Sequence, residues 1–448
     1  MTKLRFLAML IAFTLVAAAC GDSDGESSDA DTDTTEGATA TTGAATETSG
    51  DAAGATGDGE TIRLWLNGTD TPDEVVEFAI AEFNETHPDV EVVLERQQWT
   101  GLVERLTTAL SSSDTPDVVE LGNTQAQSFE AAGALEDLTS VKDQLGGDDL
   151  LQSLLEAGTY NDQYYGVPYY AGARVVIYRT DLFEASGLEV PTTIDELIAA
   201  GEKLKADNAD VPNFSGFYLP GRNWHAALSF LWEEGGDIAT SEDGQWTGML
   251  SDPASIAGLE LFKEIFDKTN AAPADADDAA DYIAFCNGEV GMMPAPGWKP
   301  GQIINPDDGC PEMEANIGVF ALPGSDGGTT APVFLGGSVI GVASNSDNKD
   351  LAVDLVEIMI GTEYQSQMAE VGLLPARTSL LDEVGGSEAA EAQAVAAANS
   401  RFVPSSENWA AVEAEFVLQD MLTRIAQGED IAGAAATADA AIEEILNG

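Results

Sequence analysis

"TIRLWLNG" (Thr61–Gly68) is the stretch on which the reading of the fold turns. It alternates briefly and is rich in large apolar residues, so it reads as a strand. A helix follows: Thr71 is placed to cap it, Pro72 suits its first turn, and Glu74 completes a T-x-x-E capping box. Val75, Val76, Ala79, Ile80 and Phe83 fall at helical spacing, and the helix is expected to stop near His87-Pro88, because a residue before proline avoids the helical region. "VEVVLERQ" (Val90–Gln97) is the next strand, Leu102, Leu106 and Leu110 mark a second helix, and "DVVELG" (Asp117–Gly122) is a buried strand. The order βαβαβ predicts an α/β protein with a largely parallel sheet and helices on its faces.

The pattern recurs downstream. A strand is centred on Val175–Tyr178, and Thr193 with Glu196 forms a capping box for a helix along Leu197, Ala200 and Leu204. Asp252-Pro253 opens a helix carrying Ile256, Leu259, Phe262 and Phe266. "GSVIGVAS" (Gly337–Ser344) reads as a strand, Leu351–Ile360 as a helix ended by Gly361, and Trp409 to Leu446 as mostly helical.

Upstream, Lys3 and Arg5 precede an apolar run from Phe6 to Val16, then Ala17, Ala18, Ala19 and Cys20. This is the pattern of a secretory signal, residues 1–19, and the run falls short of the roughly 20 residues a transmembrane helix needs. The Ala-Ala-Ala-Cys ending resembles the lipobox of bacterial lipoproteins, which implies lipidation of Cys20 and attachment at the outer face of the cell membrane. The alternative is a plain signal peptide with a chance cysteine. From there to residue 60 the chain is Gly, Ala, Ser, Thr, Asp and Glu with no Lys or Arg, a composition that buries no core and serves as an extended tether.

The formal net charge of −60 disfavours nucleic acid as a partner, since phosphate contacts need a basic footprint. With two histidines, His87 and His225, and no cluster at metal spacing, no metal site is expected, and no cofactor. Cys286 and Cys310 are an even pair in an exported chain, which favours a disulfide over two separate buried thiols. Closing a loop of that length contributes about 3 kcal/mol in the chain-entropy model.

Seven blocks in order then carry a resemblance. They include "LWLNG" (Leu64–Gly68) with "IAEFNETHPDVEV" (Ile80–Val92), "DTPDVVELGNTQAQSFEAAGALEDLT" (Asp114–Thr139), and the run from Tyr164 to Leu197. "FCNGEVGMMPAPGW" (Phe285–Trp298), "ALPG" before "FLGGSVIGVASNS", and "GLLPARTSLLDE" (Gly372–Glu383) complete them. Across about Ile62 to Leu446 the chain resembles the extracellular solute-binding proteins of bacterial sugar ABC importers, the maltose-binding type. The resemblance implies a type II periplasmic-binding-protein fold: two α/β lobes around a ligand cleft, joined by hinge strands that the chain crosses three times. Mapped here, the first lobe is 61–170 plus 336–383 and the second 171–335 plus 384–448. The crossings lie near Tyr170–Gly172, Leu335–Gly337 and Val384–Ser387. Gly336 and Gly337 suit a hinge, with ordinary turns as the alternative.

A sugar presents flat C–H faces and a rim of hydroxyls, so its cleft needs aromatic platforms bordered by paired donors and acceptors. Trp298 follows Pro294, Pro296 and Gly297, and the resemblance places a stacking aromatic there. Trp409 aligns with another aromatic of that family. Trp224 lies where a loop enters a helix, with Asn223 beside it and His225 read as a helix-start residue. Trp65 reads as core, and Trp232 and Trp246 as structural. The polar candidates lie at strand ends: Asn67 and Asp70 after the first strand, Asn123 and Gln125 after the Asp117–Gly122 strand, Gln98 and Trp99 before the Leu102–Leu110 helix. Each has turn or cap duty as its alternative. Tyr170 lies at the first hinge, and Arg174 is placed to bind a hydroxyl or pair with a carboxylate.

The resemblance implies a monomeric carbohydrate receptor that closes on its ligand and docks on ABC permease subunits, with no chemistry of its own. No P-loop occurs in the sequence, so the energy source is another chain. The first-lobe loop reads "GNTQ" where the maltose-binding type carries Trp, Asp and Arg; the stretch is closer to actinobacterial binders of chitobiose or cellobiose. The alternatives are a peptide, polyamine or compatible solute in the same fold, and a surface-anchored glycosidase with paired carboxylates.

Overall fold

The computed structural model describes residues 60–68, 70–99, 101–279, 281–306, 309–383 and 388–448. The signal sequence, Cys20, the tether up to residue 59 and the expected crossing at Val384–Ser387 lie outside the described residues.

The opening elements are β1 (Thr61–Asn67), α1 (Asp73–Thr86), β2 (Glu91–Gln97), α2 (Leu102–Leu110), β3 (Val118–Gly122) and α3 (Ala126–Ala131). β1 pairs in parallel with both β2 and β3, as the βαβαβ reading requires. The cap of α1 differs from expectation. Pro72 takes the cap position with no side-chain bond to the helix, and the Thr71 hydroxyl accepts instead from Tyr169 Oη at 3.2 Å.

Two long strands follow, β4 (Gly166–Arg179) and, later in the chain, a strand introduced below that runs alongside it. Between them come α4 (Ile194–Asp207), β5 (Ser215–Phe217), α5 (Trp224–Glu233), α6 (Pro253–Thr269), β6 (Val290–Pro296), α7 (Lys299–Ile303) and β7 (Ile317–Phe320). Thr193 Oγ1 accepts from Glu196 N, so the forward half of the capping box forms; the Glu196 carboxylate turns to Thr192 rather than Thr193. Asp252 caps α6 through Ala254 N, with Pro253 in the first turn. Cys286 and Cys310 are disulfide-bonded, with Cα atoms 5.6 Å apart. The companion strand is β8 (Val333–Val342), starting four residues before the expected Gly337. After it come α8 (Lys349–Met359), α9 (Trp409–Ala414), α10 (Val417–Ala426) and α11 (Ile431–Leu446).

The main sheet runs β2-β1-β3-β8-β4-β6-β5. It is mixed rather than largely parallel: β8 is antiparallel to β3 and to β4, and β4 is antiparallel to β6 and β7. The two long strands lie side by side at the middle of the sheet. The C-terminal half of β8 pairs with β3 in the first lobe, and Arg174–Tyr178 of β4 pairs with β6 in the second. Where they cross, Gly337 has φ +144, and a Cβ there would lie 2.3 Å from Tyr170 O. No side chain fits that approach, and the register of β8 on β4 shifts at Ser338/Val339.

The buried apolar residues fall into separate cores, and the largest of them also takes in Leu154, Ala369 and Leu374 from the expected first-lobe segments. In the first lobe, α1 and α8 bury Val75, Phe83, Leu355 and Met359 on one face of the sheet, and α2 buries Leu102, Leu106 and Leu110 on the other. In the second, Leu197, Phe217, Phe230, Phe262 and Met292 belong to one large core. Trp65 is buried in the first lobe and Trp232 in the second.

Candidate functional site

The C-terminal ends of β1, β2 and β3 open toward the junction of the lobes, the position where open α/β sheets place ligands. The N-terminus of α5, the turn after β6, and α9 face them from the second lobe. Together they enclose a cleft of about 420 Å³. Asp70, Trp99, Asn123, Gln125, Tyr170, Arg174, Trp224, Trp298, Gly336 and Gly337, all expected from sequence, line it. A larger groove, about 680 Å³, lies between α2–α3 and α9, but alanines and serines dominate its walls and no indole lines it.

The first-lobe platform is Trp99, 38% exposed. Its Nε1 donates to Asp70 Oδ2 at 2.8 Å, and Tyr170 Oη donates to the same oxygen at 3.2 Å. Gly122 lies beneath the ring: a Cβ there would meet Trp99 at 3.5 Å. Tyr170 also donates to Glu120 Oε1 at 3.0 Å, a carboxyl that receives Ser338 Oγ at 2.6 Å and Asn67 N at 2.7 Å. Burial pushes Glu120 up to about 7, against the opposing effect of these hydrogen bonds. Burial also holds Asp70 above the usual carboxylate range. A buried carboxyl thus ties β1, β3, β4 and β8 together under the cleft floor.

Trp298 sits where β6 ends and α7 begins, at the position expected from the Pro-Gly sequence. Its ring packs on Gly172 of β4 so closely that a Cβ at 172 would fall 2.0 Å from its Cζ3. Trp224 opens α5 and stacks on His225 with ring centroids 4.0 Å apart; Phe334 of β8 stands 5.7 Å away. His225 is driven down to about 3, by burial first and by the nearby Arg174 charge second, so the imidazole is neutral. Arg174 pairs with Asp278 at 3.4 Å, the carboxylate pairing expected as one of its two roles, and it also lines the cleft. Its Nε and Gln125 Oε1 have no hydrogen-bond partner among the described residues.

Four expected residues do not line the cleft. Trp409, 1% exposed, is buried behind Trp224 at 6.3 Å, where its indole completes the second-lobe core. Asn67 is buried too, its Nδ2 donating to Glu120 O at 3.0 Å, because the β1 end is stitched to β3. Asn223 caps α5 through Ala226 N. Gln98 is exposed, and its carbonyl receives Arg105. Asn123 lines the cleft but spends its Nδ2 on Leu335 O at 2.9 Å, tying β3 to β8.

The sequence reading missed Glu413, Gln419, Phe334 and Ser338. Glu413 accepts from Trp409 Nε1 at 2.7 Å and reaches Thr124 and Gln125 across the cleft; burial raises its carboxyl. Its signal was present, four residues after a tryptophan on one helix face. Glu120 was visible as a lone carboxyl inside an apolar strand.

Among the described residues no group of three or more His, Cys, Asp or Glu is arranged to hold a metal ion, and no helix is long and apolar enough to cross a membrane.

The model of the bacterial extracellular solute-binding proteins matches residues 67–366. The diacetylchitobiose-binding protein DasA of Streptomyces coelicolor is 32% identical over 386 residues, covering 84% of this chain and 88% of that one. The GacH receptor of Streptomyces glaucescens, solved unliganded and with acarbose, superposes with a TM-score of 0.74 at 23% identity, over 87% of this chain and 98% of that one. An ABC transporter solute-binding protein of Thermotoga lettingae bound to α-D-tagatose gives 0.74 at 22% identity, over 86% and 100%.

Proposed function

The chain belongs to the bacterial extracellular solute-binding proteins, and from that premise we propose that it is the receptor of a carbohydrate ABC importer. It captures a di- or oligosaccharide of chitobiose or cellobiose type outside the membrane and delivers it, unaltered, to the permease. One observation carries this reading: three indoles, Trp99, Trp224 and Trp298, border a cleft rimmed by Asp70, Asn123, Gln125, Arg174 and Glu413. Rings offer platforms for pyranose faces, and the rim offers both donors and acceptors for hydroxyls. A volume of about 420 Å³ falls within the range of small-molecule sites, about 300–1,000 Å³. The relation to a diacetylchitobiose-binding protein supports the β-linked disaccharide.

We assign the lobes as 61–170 plus 336–383 and 171–335 plus 384–448. Ligand held by both walls favours the closed arrangement of the hinge strands, and that form engages the permease. Cys20 carries the lipid, and the acidic segment after it is the tether from the membrane; the folded part acts as a monomer.

The test is thermal unfolding of the full chain with chitobiose, cellobiose, maltose, trehalose, xylobiose and monosaccharides. A ligand at 100 times its Kd adds about 2.7 kcal/mol of stability. Chitobiose or cellobiose is expected to raise Tm, and Trp298→Ala to weaken that ligand at least ~30-fold, as central aromatic anchors do. No rise with any saccharide overturns the reading, and turnover of a chromogenic β-glycoside replaces it with the glycosidase.

A further inference from the structure

Beside the cleft lies a second space of about 400 Å³. Trp224 and Gln419 line both, so the two spaces adjoin at these side chains. The outer space is bordered by Phe416, Arg222 and the exposed carboxylates of Asp275 and Asp277.

Phe416 is the unusual member. Five non-glycine residues among those described have left-handed backbones: Asn161, Asp162, Asn213, Asp243 and Phe416. Asn and Asp tolerate that conformation; a bulky aromatic at φ 54, ψ 31 is an outlier. Its ring is 52% exposed, so burial does not account for it either. Folding alone would favour glycine at this position. Trp99 and Phe416 are the two exposed aromatics among the described residues, and each lines one of the two spaces. Arg222 lies over the Phe416 ring, 5.1 Å from the guanidinium carbon to the centroid, and is itself held near Asp420 at 3.6 Å.

We propose that this outer space is a further sugar subsite, with Phe416 as its platform, which takes the next ring of a saccharide whose first units fill the inner cleft. The proposal rests on the saccharide reading above. Phe416 supplies an apolar face, Arg222 donors, Asp275 and Asp277 acceptors, and Gln419 both, the complement one more pyranose ring requires. The strain at residue 416 is explained by the ring it presents.

The experiment is calorimetric titration of the full chain with chito- and cello-oligosaccharides of two, three and four units, for the native protein and Phe416→Gly. Glycine accepts the left-handed backbone, so the variant keeps its fold, and its urea midpoint stays level or rises. The native chain should bind the three- or four-unit saccharide more tightly than the disaccharide. Phe416→Gly should remove that gain, weakening the longer ligand by about 3- to 10-fold and the disaccharide by less than about twofold. Phe416→Trp should restore it. Affinity indifferent to chain length in the native protein, or an equal loss at every length in Phe416→Gly, overturns the subsite while leaving the receptor intact. Failure of every saccharide to bind the native chain overturns the receptor reading, and the subsite with it.

Discussion

The two walls of the cleft reach similar chemistry by opposite constructions. On the first-lobe wall the platform is an exposed loop indole, Trp99, steadied by one carboxylate, Asp70, which is linked through Tyr170 to the buried carboxyl of Glu120. On the second-lobe wall Trp224 is part of the core, leaning on His225, Phe334 and the buried Trp409. The first wall is organised by hydrogen bonds to ionisable groups and the second by packing. They should therefore fail differently, the first in ligand affinity and the second in stability.

The sharpest way to break that contrast is Trp409→Ala. A fully buried indole removed from a close-packed cluster costs about 3–5 kcal/mol of stability. It should lower the urea midpoint by a corresponding amount and also loosen Trp224 and Glu413, which it touches. If instead the variant unfolds like the native chain and loses only sugar affinity, Trp409 serves the cleft directly and the second wall is not a core.

The next largest effect is on pH. Glu120, pushed up to about 7, and Glu130 of α3, pushed up to about 8 by burial, both belong to the first lobe. Below about pH 4.5 each carboxyl is protonated whether the chain is folded or unfolded. As pH rises toward 7–8 only the unfolded chain releases the proton, so stability falls through that window, by on the order of 3 kcal/mol per group. His225 in the second lobe behaves in reverse. It is neutral in both states above about pH 6.5, and as pH falls toward 3 only the unfolded chain takes up a proton, so stability falls on the acid side. Urea midpoints measured from about pH 3 to 9 should peak near about pH 4.5, where the one-proton rise set by His225 gives way to the two-proton fall set by the carboxyls. Glu120→Gln should make the fall above about pH 4.5 shallower, and His225→Gln should flatten the acid limb below about pH 4.5 while steepening the fall between about pH 4.5 and 6.5. One substitution flattening both limbs would show that the walls titrate as a unit.

The same contrast governs what was legible in the sequence. The first wall could be read almost whole, because its residues follow strand ends: Asp70, Trp99, Asn123 and Gln125 come just after β1, β2 and β3, whose apolar runs are plain. The second wall was read through its tryptophans, and their number concealed the division of labour. Nothing local distinguishes Trp298, wedged against Gly172, from Trp409, buried behind Trp224; that depends on which helix packs over which. Glu413 and Gln419 come from helices late in the chain and meet the cleft through tertiary packing alone. Asn67 and Asn223 follow the strand-end and helix-start rules correctly but spend their side chains on Glu120 and Ala226. The change from parallel to antiparallel pairing at β8 was invisible for a similar reason, since long connections carry no local mark of strand direction.

The smallest expected effect tests the first wall alone. Trp99 touches few core atoms, so Trp99→Ala should shift stability by no more than about 0.5 kcal/mol. It should weaken saccharide binding by about 3- to 10-fold, the worth of one stacked ring. Asp70→Ala leaves the ring in place but releases its Nε1, while Tyr170 keeps its bond to Glu120. If Asp70 acts by fixing the indole, the double variant Asp70→Ala/Trp99→Ala binds no more weakly than the worse single variant, since residues of one network are not additive. Asp70→Asn, whose amide oxygen still accepts from Trp99 and Tyr170, should retain most of the native affinity. Additive losses in the double variant would instead assign Asp70 its own contact with the sugar. The loop would then be a pair of independent binders, and the rigidity attributed to the first wall would have to come from Gly122 beneath the ring.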